Sequence, residues 1–381
     1  MGTGIALIIT IAVLVAFCVA GFIYWYAFRF EVTNFKIKNN VIYLKSEICK
    51  SNSQASSLKI LHLSDFHLRT DFKGRKLEQF IKTLTNDQYD FVFITGDMVE
   101  KNELQDELME MLKPLKAKYG VYAVFGAHDY YNKKPQEFIK NMFKKKESYS
   151  RLNDSQGLKK KLAAIGVHIL QNESIVLKDI DGYDEIDIIG VDDPIINKMD
   201  LKKSLTGIFN KISDIKILDV SKKNLSTDIL ADSYKNIDDS ITEKDELINQ
   251  ESNYLEFTEG IVKTSEYKQE FSPAHTNYHE LKEGSKLKIA LIHTPDSYAL
   301  VNLAVNGVDV VFAGHTHGGQ IRLPGAGAII SGCNLKTRYA AGLFYFKNFV
   351  LQVSKGLGEG RFSRFRIYCD PEAIITEILK D

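Results

Sequence analysis

The chain has 381 residues, of which 44% are hydrophobic and 26% charged, with 49 Lys and Arg balanced by 49 Asp and Glu. That length builds one large domain or two ordinary ones, and the composition is that of a globular protein. Zero formal charge removes any bulk electrostatic case for a nucleic-acid partner, and the widely spaced Cys18, Cys49, Cys333 and Cys369 read as free thiols rather than a disulfide framework or zinc knuckle.

The first element, Ile5 to Tyr26, carries no charge and is long enough as a helix to cross a hydrocarbon core of about 30 Å. Met1-Gly2-Thr3-Gly4 lacks the basic start of a cleavable signal, and Tyr24-Trp25-Tyr26 reads as an interfacial aromatic belt. Ala6 breaks the myristoylation pattern. A single transmembrane anchor over residues 4–27 is therefore predicted. Arg29, Lys36, Lys38 and Lys45 follow it and nothing basic precedes it, so the positive-inside rule assigns a single-pass cell-membrane protein with its large C-terminal part on the cytoplasmic face.

Residues 28–57 read as a linker with short strands, because Val32 to Leu44 alternates weakly. The domain is predicted to start at residue 58, where strands and helices begin to alternate. Leu58–Asp65 is a strand and Gly74–Leu84 a helix; Phe91–Asp97 is a strand and Leu104–Lys118 an amphipathic helix; Val121–Gly126 is a third strand. Leu158–Ile165 reads as helical, and Val167–Leu170, Ser174–Lys178 and Ile186–Val191 as strands. From about 197 to 284 the chain is polar and without period, predicting an insertion that is partly disordered or a loose surface excursion. Structure resumes with the strand Lys286–His293, a helix over Pro295–Val305 and a buried strand over Val308–Ala313, and strands near Phe349–Val353 and Ile374–Ile378 close the domain. Such alternation implies a sheet with helices outside it and ligands at the carboxyl ends of strands.

Those ends carry the chemistry. Asp65-Phe66-His67 follows the first strand, Asp97 the second and His128-Asp129 the third; His293 follows the resumed strand, and Gly314-His315-Thr316-His317 the buried one. Five of the nine histidines thus fall at strand-end turns, as convergence on a metal site requires. Mixed carboxylate and imidazole donors suit Mn, Fe, Zn or Co, and a shared carboxylate such as Asp97 suits two ions about 3.5–4 Å apart. His62 and His168, inside apolar runs, read instead as satisfied core histidines.

In this order and at these strand ends, Asp65-x-His67, Gly96-Asp97, Gly126-Ala127-His128-Asp129, His293 and Gly314-His315-Thr316-His317 resemble the calcineurin-like metallophosphoesterases, over about Leu58 to Leu379. Gly318-Gly319-Gln320 and Gly356-Leu357-Gly358 with Arg361 are similar to the membrane-associated subgroup of envelope phosphodiesterases and UDP-2,3-diacylglucosamine pyrophosphatases of lipid A synthesis. The resemblance implies an α/β fold, a metallophosphoesterase-type β-sandwich core flanked by helices, preceded here by the transmembrane helix. It implies one divalent metal held by Asp65, His67, Asp97 and His317 and a second by Asp97, His293 and His315. His128, oriented by Asp129, would stabilise the transition state or protonate the leaving oxygen. Asp129 reads alternatively as a cap or turn residue. Arg361 would clamp a substrate phosphate, or is simply a solvated arginine.

The family has Asn where this chain has Ala127, whose methyl group can neither ligate a metal nor hold a phosphate, so weaker second-metal binding is expected. The function implied is a membrane-anchored, metal-dependent phosphoesterase that hydrolyses a phosphodiester or pyrophosphate. A lipid-linked substrate such as UDP-2,3-diacylglucosamine fits the anchor. The alternative is a catalytically impaired metal-binding scaffold at the membrane.

Overall fold

The computed structural model describes residues 2–26, 29–38, 57–141, 146–218, 285–346, 349–360 and 364–379. Cys49 and Arg361 lie outside the described residues, as does most of the predicted insertion. Helix α1, Gly2–Tyr26, contains no charged residue. Among the described residues no helix is long and apolar enough to cross a membrane.

Two six-stranded sheets form the domain. The first runs in the order β1 (Glu31–Lys38), β14 (Glu372–Leu379), β2 (Ser57–Leu63), β3 (Phe91–Thr95), β4 (Val121–Val124), β5 (Val167–Ile169). The second runs β12 (Gly342–Tyr345), β13 (Val350–Val353), β9 (Val310–Ala313), β8 (Ser285–Ile292), β7 (Tyr183–Val191), β6 (Glu173–Ile180). Strands β2 to β5 are mutually parallel, as are β7, β8, β9 and β13. A short pair, β10 (Arg322–Leu323) and β11 (Gly327–Ala328), stands apart.

The two-residue period of each strand explains the layering. In β3, Phe91 and Phe93 face the second sheet and pack with Ile289, Leu291 and Phe312, whereas Val92 and Ile94 face outward onto helices. Those helices are α2 (Phe72–Leu84), α3 (Gln105–Leu112) and, after the short α4 (Ala127–Tyr130) and α5 (Pro135–Asn141), α6 (Ser155–Ala164); they are applied through Leu77, Ile81, Leu108, Leu112 and Leu158. On the far side, α7 (Leu201–Thr206) and α8 (Ser297–Val305) cover the second sheet through Leu205, Leu300 and Leu303. Helix, sheet, sheet, helix is the sandwich expected, with continuously apolar central strands because both faces are covered.

Several elements depart from the sequence expectation. Helix α3 stops at Leu112 rather than Lys118: Lys113 still has helical backbone (φ −51°, ψ −36°), but Pro114 has no N–H to give the carbonyl of Glu110. The segment 28–57, read as a linker with short strands, does supply one: β1 is the edge strand of the first sheet, paired in parallel with β14 from Glu31↔Glu372 to Lys38↔Leu379. The stretch 197–218, assigned to the insertion, is packed: Leu201, Leu205 and Ile215 are buried, and Asn302 and Asn306 side chains bind the backbone at Leu218 and Lys216. Its apolar residues are too sparse to show a period, and long-range contacts order it. His168 is exposed and stacks on Tyr122 with ring centroids 5.5 Å apart, so it is not a core histidine. Cys18, Cys333 and Cys369 are free thiols.

His62 does lie in the core, fully buried. Gln352 Nε2 reaches its Nδ1 at 3.0 Å, and its Nε2 lies 2.9 Å from Thr95 Oγ1. Burial pulls its pKa down to about 3, against about 6.5 when unfolded. Between these values the unfolded chain holds a proton that the folded one does not. This contribution to stability is therefore complete above about pH 6.5 and is lost as pH falls toward 3. His62→Gln should flatten the acid limb of the unfolding midpoint against pH, measured on metal-free protein; an unchanged slope would refute the assignment.

Candidate metal centre

The carboxyl ends of β2, β3, β4, β8 and β9 meet at one rim of the sandwich, where tight turns present their residues. Asp65 (φ 51°), His67 (φ 41°), Asp97 (φ 52°), His315 (φ 71°) and His317 (φ 49°) all adopt left-handed backbone. Each such non-glycine residue costs about 1–2 kcal/mol, so five together require a backbone that enforces them. The turns interlock: Asp65 N donates to Gly96 O and His67 N to Asp97 O, both at 3.0 Å. Gly314 is needed because a Cβ there would overlap Ser64 Oγ and come within 2.5 Å of Asp65 Oδ2.

Six of the predicted ligands come together. His67 Nε2 lies 3.1 Å from His317 Nε2 and 3.5 Å from Asp97 Oδ2, and His317 Nε2 lies 3.5 Å from Asp65 Oδ1. Beside them, His293 Nε2 lies 3.3 Å from Asp97 Oδ2 and 3.3 Å from His315 Nδ1. One oxygen, Asp97 Oδ2, is therefore common to both groups. Ligand atoms of Asp65, His67 and His317, of His67, Asp97 and His128, and of Asp65, Asp97 and His293 form three sets, each mutually within 4.8 Å. Asp65 Oδ1 is buried without a hydrogen-bond partner among the described residues. Converging nitrogen and carboxylate donors with a bare buried oxygen fit divalent metals.

Outer partners select which ring nitrogen faces inward. Glu100 Oε1 is 3.1 Å from His67 Nδ1, Thr95 O is 2.6 Å from His293 Nδ1, and Gly332 O is 3.0 Å from His315 Nε2. All three are acceptors, so each far nitrogen carries a proton and, in the neutral imidazole that a metal needs, the near one keeps its lone pair. His317 differs: its Nδ1 faces Arg366 Nη2 at 3.3 Å, a group that can only donate. Arg366 is itself buried and anchored on Lys355 O at 2.7 Å. A directed chain also runs from the core to the first ligand. Thr95 Oγ1 donates to Ser64 Oγ at 2.8 Å, and Ser64 Oγ to Asp65 Oδ2 at 2.5 Å, behind the His62 contact already described.

Charge separates the imidazoles. Burial opposes ionisation of Asp97, but His293, His128 and His67 outweigh it and hold the carboxyl well below its usual range. Burial likewise opposes protonation of His293, and Asp97 overrides it, raising that pKa well above the ordinary value. His317 is pushed well down by burial, His67 and Arg366, and His128 by burial and Lys133.

Asp129 does not do what the resemblance implied. Its Oδ2 accepts from Gly126 N at 2.9 Å and Asp97 N at 2.8 Å, and its Oδ1 from Met98 N at 2.9 Å and Val99 N at 3.2 Å. It staples the turn after β3 to the start of the one-turn helix α4 (Ala127–Tyr130), which is the cap reading. The carboxylate nearest the His128 ring is Glu100, 4.0 Å from Nδ1. Sequence reasoning missed Glu100, Arg366 and the His62 chain. Glu100 alone left a signal, three residues beyond Asp97.

A rim where the parallel central strands of two sheets pool carboxylates and imidazoles defines the class of metal-dependent hydrolases. Residues 58–319 match the family model described as calcineurin-like phosphoesterase, and the chain belongs to that family. It is 32% identical over 157 residues to the uncharacterized metallophosphoesterase YkoQ of Bacillus subtilis, covering 40% of this chain and 50% of that one. It is 26% identical over 341 residues to the UDP-2,3-diacylglucosamine pyrophosphatase LpxG of Chlamydia trachomatis, covering 85% and 84%. A shorter stretch of 97 residues is 32% identical to the phosphodiesterase YaeI of Escherichia coli, covering 26% and 34%. The aligned region thus spans about half of YkoQ and most of LpxG. The protein is a metal-dependent phosphoester hydrolase, as its motifs predicted.

Proposed function

We propose that the protein is a membrane-anchored, two-metal phosphoesterase that cleaves a phosphodiester or pyrophosphate in a lipid-linked substrate. The observation carrying the two-metal reading is Asp97 Oδ2, 3.5 Å from His67 Nε2 and 3.3 Å from His293 Nε2. Asp65, His67, Asp97 and His317 would hold the first ion, and Asp97, His293 and His315 the second. Mn, Fe, Zn and Co suit these donors. When bound, such ions polarise phosphoryl oxygens and lower the pKa of water. The His128 backbone N–H fixes Asp97 through a 2.8 Å bond to Oδ1, so that Oδ2 would be available to a metal. The His128 ring, neutral at pH 7, donates its N–H to a phosphoryl or leaving oxygen.

The lipid-linked substrate is supported by the likeness to LpxG along most of both chains and by the charge-free helix α1. On this reading the charge-free run Ile5–Tyr26 serves as the anchor, and the cations that follow it argue for the domain on the cytoplasmic face. A catalytically impaired scaffold is the competing reading, and Ala127 favours it. Full-length protein in detergent with Mn²⁺ decides between them. UDP-2,3-diacylglucosamine is expected to be cleaved with kcat/KM about tenfold or more above a soluble aryl phosphodiester, since remote contacts lower the barrier. Equal or poorer use of the lipid removes the substrate assignment, and no turnover of either with any divalent metal leaves the scaffold.

A further inference from the structure

The second metal group is poor in charge. Asp97 is shared with the first group, and His293 and His315 are its other donors among the predicted ligands. The Ala127 methyl group has no lone pair to offer. Gly126 offers no room either, because a Cβ there would overlap Asp97 Oδ1 and lie 2.7 Å from His293 Nε2.

A carboxylate stands on the other side. Strand β7 runs parallel to β8 with Val191 beside Ile292, so the residues that follow each strand, Asp192-Asp193 and His293-Thr294, emerge side by side. Asp192 is occupied by the Tyr130 hydroxyl at 2.7 Å. Asp193 is fully buried; its Oδ1 accepts from Ile195 N at 3.1 Å, while its Oδ2 has no hydrogen-bond partner among the described residues. Burial raises its pKa, and the groups that most oppose this are His293 and His315, the two imidazoles of the second group, followed by the neighbouring Thr294 side chain. A buried carboxylate oxygen left bare is costly unless a cation answers it, and none of the proposed chemistry otherwise uses this one.

We propose that Asp193 is the fourth protein group of the second metal site, its free Oδ2 and negative charge supporting a divalent ion at His293 and His315. It takes the part that a polar side chain at position 127 would have played, and it rests on the two-metal reading above.

The test is Mn²⁺ titration of the full-length protein in detergent by calorimetry, with metal analysis after desalting. Wild type should bind two ions per chain, and Asp193→Asn, which keeps the acceptor for Ile195 N, should bind the second about 10–100-fold more weakly with the first unchanged. Adding Ala127→Asn to Asp193→Asn should recover part of that loss. An unchanged second ion in Asp193→Asn overturns the proposal. Wild type binding one ion overturns instead the two-metal reading on which it rests. Should Asp193→Asn fail to fold, Ala127→Asn alone decides: little gain is expected where Asp193 already serves, and a gain of about tenfold or more in second-ion affinity overturns the role.

Discussion

Asp97→Asn is expected to lower kcat/KM for phosphoester hydrolysis by about 10³-fold or more and to reduce bound Mn²⁺ to one ion per chain or fewer. Both carboxylate oxygens have separate tasks. Oδ1 accepts from His128 N at 2.8 Å, and Oδ2 is the atom within reach of both His67 and His293. An amide keeps a single acceptor. If its oxygen stays on His128 N, its NH₂ points two donors at the two imidazole nitrogens, where a cation cannot then sit. The loss of charge also removes the main support for protonated His293, leaving burial to push that pKa down. Hydrolysis of an aryl phosphodiester and metal content after desalting measure the two effects. Retention of activity within about tenfold would remove Asp97 from the bridging position.

Asp129→Ala is expected to destabilise the protein by about 3–5 kcal/mol and to abolish hydrolysis with it. Four backbone N–H groups from two turns converge on this one carboxyl, and alanine leaves all of them buried and unpaired. The pH dependence has an unusual sign. Burial and the Asp97 charge raise the Asp129 pKa to about 7 despite those donors, against about 3.9 unfolded. The folded state then holds a proton that the unfolded chain releases. In metal-free protein this contribution is complete below about pH 4 and is lost as pH rises through 7. Denaturant midpoints from pH 4 to 8 should show the slope in wild type and its disappearance in Asp129→Ala. His128→Ala leaves the four amides paired and should cost less stability. Equal stability of Asp129→Ala and wild type would return Asp129 to a purely catalytic role.

The ligands were legible in the sequence because each ends a short apolar run, and such runs are buried strands whose carboxyl ends share one edge when they alternate with helices. The assignment of His62 to the core followed from the same pattern. Its place in a chain of hydrogen bonds reaching Asp65 did not, because Gln352 and Thr95 come from strands distant in the sequence. Asp129 shows the same limit. A cap and a catalytic partner look alike in sequence, and only the return of the 97–99 turn onto its oxygens separates them.

By itself the sequence determined the family, through its motifs, the alternation of strands with helices, and the acidic and histidine residues that stand at the strand ends. Those depend on residue type and on periods of two and 3.6, which are local. Tertiary structure decided which imidazole nitrogen faces inward, that Asp129 binds backbone rather than His128, that β1 closes the sheet edge, and that Asp193 stands beside His293. Each of these is a meeting of segments far apart along the chain, set by strand order and register, and hydrophobic periodicity records which face a residue takes but not what it will find there.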